Sequence, residues 1–172
     1  MLSLIKIVTG LFVIRYHRRL KMSQITSNCP NCPDLSNKLK EIYPKLYINH
    51  IRNDNLQFTE ENDNGFVEYK RTLVGCSGRK AEKYATQMRW RMSENTKSLS
   101  AIYYLGVDDN GSIYKLTEND LIESIRIFIE IAEKIATSIV SMQIIDIGTN
   151  TIIKICVKNK RLKDNYVVEF DS

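Results

Sequence analysis

Gly65-Phe-Val-Glu-Tyr-Lys70 opens the stretch that decides the fold, and Ala101-Ile-Tyr-Tyr-Leu-Gly-Val-Asp-Asp-Asn-Gly111 closes it. The first run alternates. Phe66, Glu68 and Lys70 fall on one side of an extended chain, and Val67, Tyr69 and Arg71 on the other. This predicts a strand over residues 65–74, broken by Gly75-Cys-Ser-Gly78. Ala81, Tyr84, Ala85, Met88 and Met92 then recur at helical spacing, so Arg79 to Glu94 reads as a helix with one apolar stripe. Lys80, Lys83, Gln87 and Arg91 are read on the opposite, polar side, together with Trp90. Ser100 to Val107 reads as a buried strand. Asp108-Asp-Asn-Gly111 predicts a hairpin turn, with Ser112 to Leu116 as its return strand.

Working outward, Thr117-Glu-Asn-Asp120 caps a helix that runs to about Ser138. Its expected buried face is Leu121, Ile125, Phe128, Ile129, Ala132, Ile135 and Ala136. Ile139 to Ile147 and Thr151 to Lys158 form a final hairpin across Gly148-Thr-Asn150, and Tyr166 to Phe170 is an expected edge strand. Upstream, Asp34 caps a short helix from Leu35 to Tyr43 that Pro44 stops. Residues 50–64 are polar and read as a loop. Residues 1–22 are then a leader or upstream extension, 23–64 a linker with a short helix, and 65–172 the domain. The expected fold is a single α/β domain. Its mixed or antiparallel sheet follows the order strand-helix-hairpin-helix-hairpin, with one main helical layer.

The formal charge is +5 over 172 residues. Lys6, Arg15, Arg18, Arg19 and Lys21 lie in the first 22 residues, where there is no acid, so the body is close to neutral. Global charge is therefore no argument for nucleic acid, whereas local charge is informative. Glu60, Glu61, Asp63 and Glu68 make an acidic approach. Lys70, Arg71, Arg79, Lys80, Lys83, Arg89 and Arg91 follow it, and Lys154, Lys158, Lys160, Arg161 and Lys163 form a second basic run. The apolar opening of residues 1–14 is short of the ~20 residues that span a bilayer. Apart from residues 1–21, no membrane partner is expected. The 4 cysteines are too few for a secreted disulfide scaffold. Cys29 and Cys32 have the spacing of half a zinc site, but the only histidines are His17 and His50, so free thiols are expected. These features point to a cytoplasmic protein.

Val67-Glu-Tyr-Lys-Arg-Thr-Leu73, Ala85-Thr-Gln-Met-Arg-Trp-Arg-Met92 and the Ala101–Gly111 run together resemble the N-terminal region of GTP-binding proteins 1 and 2, from about Gly65 to about Met142. Those proteins are translational GTPases related to elongation factor Tu and elongation factor 1-alpha. The family usually carries glycines where this chain has Asn95-Thr-Lys-Ser98. No Gly-x-x-x-x-Gly-Lys-Ser/Thr run cradles a phosphate here, so no nucleotide-binding residue is assigned. Asn159-Lys160 resembles part of a guanine-reading Asn-Lys-x-Asp, with Leu162 where the aspartate belongs. The resemblance implies an accessory domain acting near RNA or the ribosome, with a GTPase domain as partner in cis or in trans and no cofactor of its own; a further alternative is a protein-interaction domain that only packs against an adjacent G domain and regulates it.

A more distant resemblance is to the Schlafen AlbA-type domain, through Glu68-Tyr-Lys70 and Gly106-Val-Asp-Asp-Asn-Gly111. It implies a metal-dependent endoribonuclease, with Glu68, Lys70 and Asp109 as catalytic residues and Asp63 a poorer third carboxylate. Glu68 and Asp109 would hold Mg²⁺ or Mn²⁺, while Lys70, on the same strand face as Glu68, orients water. The leading expectation is instead a binding module. Lys80, Lys83, Gln87, Trp90 and Arg91 would meet RNA phosphates and stack on a base.

Overall fold

The sheet is built outward from its last strand. A computed structural model describes residues 34–160, in the order α1 (Asp34–Ile42), β1 (Ile48–Arg52), β2 (Val67–Lys70), α2 (Gly78–Glu94), β3 (Ser100–Leu105), α3 (Glu118–Lys134), β4 (Thr137–Ile147) and β5 (Asn150–Asn159). Across the sheet the strands lie β1-β4-β5-β3-β2. β5 pairs antiparallel with β4 on one side and β3 on the other, and each edge strand is parallel to its neighbour. The result is a single mixed α/β domain, as the alternation of patterns predicts. The leader, Cys29, Cys32 and the Tyr166–Phe170 strand lie outside the described residues.

The reason β5 takes the centre is in its composition. Ile152 faces one side and Ile153, Ile155 and Val157 the other, and all four are fully buried. Burying one such side chain contributes about 1.5–3 kcal/mol, so a strand apolar on both faces is stable only with strands on both sides and cover above and below. One face receives all three helices. Leu35 and Leu39 of α1, Ala81, Ala85, Met88 and Met92 of α2, and Leu121, Ile125, Phe128 and Ile131 of α3 pack there against Tyr103, Leu105, Ile144 and Ile155. Among the described residues the other face is covered at one end only. Leu56, Phe58 and Ile113, from two loops, pack on Tyr69, Tyr104, Ile145 and Ile152. Phe58 meets Tyr69 and Tyr104 edge-on at 5.5 and 4.9 Å between ring centres.

The helix that opens at Glu118 has the expected cap. Thr117 Oγ1 accepts from the Asp120 N–H, and the Asp120 carboxylate accepts from the Thr117 N–H. It ends at Lys134 instead of Ser138, because Ala136 turns the chain into β4 with φ +53°. The final hairpin is as read, closing at Ile147 and Asn150.

Four expectations change. The strand expected to Val74 stops at Lys70, where the Lys70 carbonyl accepts from the Gly106 N–H and the chain turns away. The 108–111 turn forms, with Gly111 N–H donating to the Asp108 carbonyl at 2.8 Å, but no return strand follows it. Only a single bridge, Val107 to Ile113, remains. Both sides of β3 are already taken by β2 and β5, so the segment after Gly111 folds over the sheet instead. Residues 50–52 belong to a strand, β1, and not to a loop. Its sequence, Ile-Asn-His-Ile-Arg, alternates too weakly to declare itself. Finally, α1 and β1 share the core with the rest, so the packed unit starts upstream of Gly65. Among the described residues no helix is long and apolar enough to cross a membrane.

Candidate functional site

β2 brings Glu68 and Lys70 onto the helix-facing side of the sheet, two residues apart. On α2, Gln87 and Arg91 lie one turn apart and point at them. Gln87 Nε2 donates to Glu68 Oε1 at 2.7 Å, Lys70 Nζ donates to the same oxygen, and Arg91 Nε donates to Oε2. Glu68 is 0% and Arg91 2% exposed. Arg91 continues outward. Its Nη2 donates to Glu61 at 2.6 Å, and its Nη1 donates to the carbonyls of Asn62, Asp63 and Gly65 at 2.9, 2.9 and 3.1 Å. Glu61 in turn accepts from the Tyr69 backbone N–H. One guanidinium therefore ties the 61–65 loop to β2 and α2, which is the forked geometry that arginine supplies and lysine does not.

The charges set each other. Burial holds the Glu61 carboxyl above its ordinary range, with the charge of Glu68 pushing the same way against the Tyr69 N–H, Lys70 and Arg91. Nearby, burial pushes the Tyr103 hydroxyl far up, and that hydroxyl has no hydrogen-bond partner among the described residues. Outside, the hydrogen bond from Arg71 holds Asp108 below the usual carboxylate range.

Above this cluster lies an open cleft of about 420 Å³, lined by Glu60, Glu61, Asp63, Glu68, Lys70, Gln87, Trp90, Arg91 and Asp109. Glu68, Lys70, Asp63 and Asp109 thus line one cleft. The Asp109 carbonyl accepts from the Glu61 N–H at 2.7 Å, which joins the turn to the loop. Gly111 makes that junction possible. With φ +83°, it sits where an added Cβ would come within 2.6 Å of the Phe58 carbonyl oxygen. The fit to a divalent ion is poor as the side chains stand. Lys70, Gln87 and Arg91 occupy both oxygens of Glu68, and among the described residues no three His, Cys, Asp or Glu side chains group to hold a metal.

The set expected to meet RNA divides. Lys80, Lys83 and Trp90 are exposed on α2, and Trp90 is 41% exposed. Arg91 is turned inward instead of outward. It follows Tyr84 by seven residues, two full helical turns, so it lies beside the apolar stripe and not opposite it. Counting those turns finds it from the sequence. Gln87 is half-buried and committed to Glu68. Glu61 is the site residue without a sequence assignment beyond its charge, because its partner Arg91 is 30 residues away.

The geometry defines an α/β domain with a buried ion cluster beneath an acidic cleft. Uncharacterized protein R625 of Acanthamoeba polyphaga mimivirus is 49% identical over 127 residues, which cover 74% of this chain and 68% of that protein. The chain belongs to the family of that viral protein. GTP-binding protein 2 of Mus musculus and of Homo sapiens are each 37% identical over 79 residues, 46% of this chain. Here the chain spans only 13% of the relatives' own length, so the likeness is to a region of GTP-binding protein 2. No family model matches the sequence.

Proposed function

We propose that this domain is an accessory module of the kind carried by GTP-binding protein 1/2-like translational GTPases. It works in the cytoplasm, associates with RNA or the ribosome, and leaves GTP hydrolysis to a GTPase domain in cis or in trans. The likeness to GTP-binding protein 2 supports the family side of this reading. The observation that carries the RNA side is the exposed α2 surface. Lys80, Lys83 and Trp90 are exposed there, the two lysines without an ion-pair partner among the described residues and the Trp90 ring with the Arg91 guanidinium 4.8 Å from its centre, so that cations and an aromatic share one helix surface. Labelled transfer and ribosomal RNA, run on a native gel with the full chain, test it. The expected result is a shift that Lys80→Glu with Lys83→Glu abolishes. An unchanged shift would sink the assignment to α2.

A second reading, the Schlafen-like endoribonuclease with Mg²⁺ or Mn²⁺, draws on the gathering of Glu68, Lys70, Asp63 and Asp109 around one cleft. Its test is Asp109→Asn and not Glu68→Ala. Asp109 is exposed, whereas removing Glu68 takes one of two carboxylate partners from a buried arginine and so disturbs the packing whatever the site's chemistry. Metal-dependent cleavage that Asp109→Asn leaves intact would refute this reading.

A further inference from the structure

Among the described residues, half of one sheet face carries no cover. On the face away from α1–α3, the two loops cover only the end that holds Tyr69, Tyr104 and Ile152. Further along β5, on that same face, stand Lys154, Cys156 and Lys158 in alternate positions, half-buried, half-buried and exposed. Their neighbours across the sheet are polar or neutral. Gln143 and Tyr104 flank Lys154, Ser141 and Ile102 flank Cys156, and Ser138 and Ser100 flank Lys158. No carboxylate lies on this grid, and neither lysine has an ion-pair partner among the described residues. Lys154 instead lies over the Tyr104 ring at 5.9 Å. The contrast with the cleft is chemical: five carboxylates line the cleft, and this face has none.

We propose that this bare half-face is a second RNA surface, taking a single strand along β5 with Lys154 and Lys158 on its phosphates and hydroxyl and amide side chains beside them. The two ammonium groups are four residues apart, about 13 Å along an extended strand, so they reach separate phosphates of one strand. A flat, carboxylate-free face with cations in line suits a single-stranded polyanion, whose backbone is held mainly by charge. This proposal rests on the RNA reading above but places the strand on the opposite side of the domain from α2.

Cys156 makes the two separable, because it sits between the lysines as a free thiol while Cys76 is buried. The full chain carrying Cys29→Ser and Cys32→Ser would be alkylated with iodoacetamide, with and without a 12-residue oligouridylate. Affinity for the same oligonucleotide would be followed by fluorescence anisotropy across salt concentrations. The expected result is slowed alkylation of Cys156 in the complex. Lys154→Glu with Lys158→Glu should weaken binding about tenfold and flatten the salt dependence by about 1.4 in log-log slope, two phosphates at ~0.7 each. Binding that leaves Cys156 as reactive as in the free protein, and that tolerates both substitutions, overturns this surface and leaves the α2 reading standing. No binding of the oligonucleotide overturns this surface, and the transfer and ribosomal RNA gel then decides the α2 reading separately.

Discussion

Two arginines on two helices make similar pairs in opposite surroundings. Arg126, on α3, donates to Glu123 at 2.7 and 2.8 Å and also to Glu130, with its side chain 47% exposed. Arg91, on α2, donates to Glu61 and Glu68 with 2% exposure. Water solvates the first trio whether or not its bonds form. The second trio has no such alternative, so each partner it loses leaves a buried charge alone. What differs is burial, and burial decides which pair holds the fold.

The sharpest break is Arg91→Ala. It should cost about 3–5 kcal/mol, because Glu61 loses its cation and Glu68 keeps only Lys70 and Gln87 in a largely buried site. Urea denaturation measures it, and a loss under 1 kcal/mol would show that the cluster is wetter than its packing. Gly111→Ala attacks the same cluster from outside. Its Cβ meets the Phe58 and Thr59 carbonyl oxygens, and its backbone angle suits only glycine, so about 2–3 kcal/mol should be lost. Amide exchange should quicken at Glu61, whose N–H is held by the Asp109 carbonyl. Retained protection there would contradict the junction.

Glu61→Gln tests the electrostatics more gently. A carboxyl raised above its ordinary value of 4.5 lends stability that is full below that pH and is lost as pH rises through its folded value. Stability measured from pH 4 to pH 7 should therefore fall with rising pH in the wild type relative to Glu61→Gln, and parallel curves would refute it. At the far end, Arg126→Ala should change stability by less than about 1 kcal/mol, fading in high salt. A larger, salt-insensitive loss would erase the contrast between the two arginines.

Much of this was readable in the residues. The apolar runs of β3, β4 and β5 and the periodicity of α2 and α3 fix the element order, because each buries enough surface to enforce its own period. β1 escaped because an edge strand of five residues needs few apolar positions. The return strand that the turn after Gly111 predicts does not form, because a turn signal is local while strand pairing depends on whether a neighbour is already occupied. In the site, Glu68 and Lys70 share a face because they share a strand, and strand parity shows that directly. That Arg91 and Glu61 join them depends on the loop folding back over 30 residues of chain, and no local pattern encodes such a return.

The central place of β5 has a consequence for the order of assembly. It is the last strand among the described residues, yet it is the one that joins β4 to β3. Until Asn150–Asn159 has been synthesised, β1 with β4 and β2 with β3 are two separate parallel ribbons, each too small to persist in water. The sheet therefore closes only once β5 is present, and it joins residues as far apart in the chain as Ile48 and Met142. A chain cut before Asn150 would display the apolar strands β3 and β4 with nothing between them.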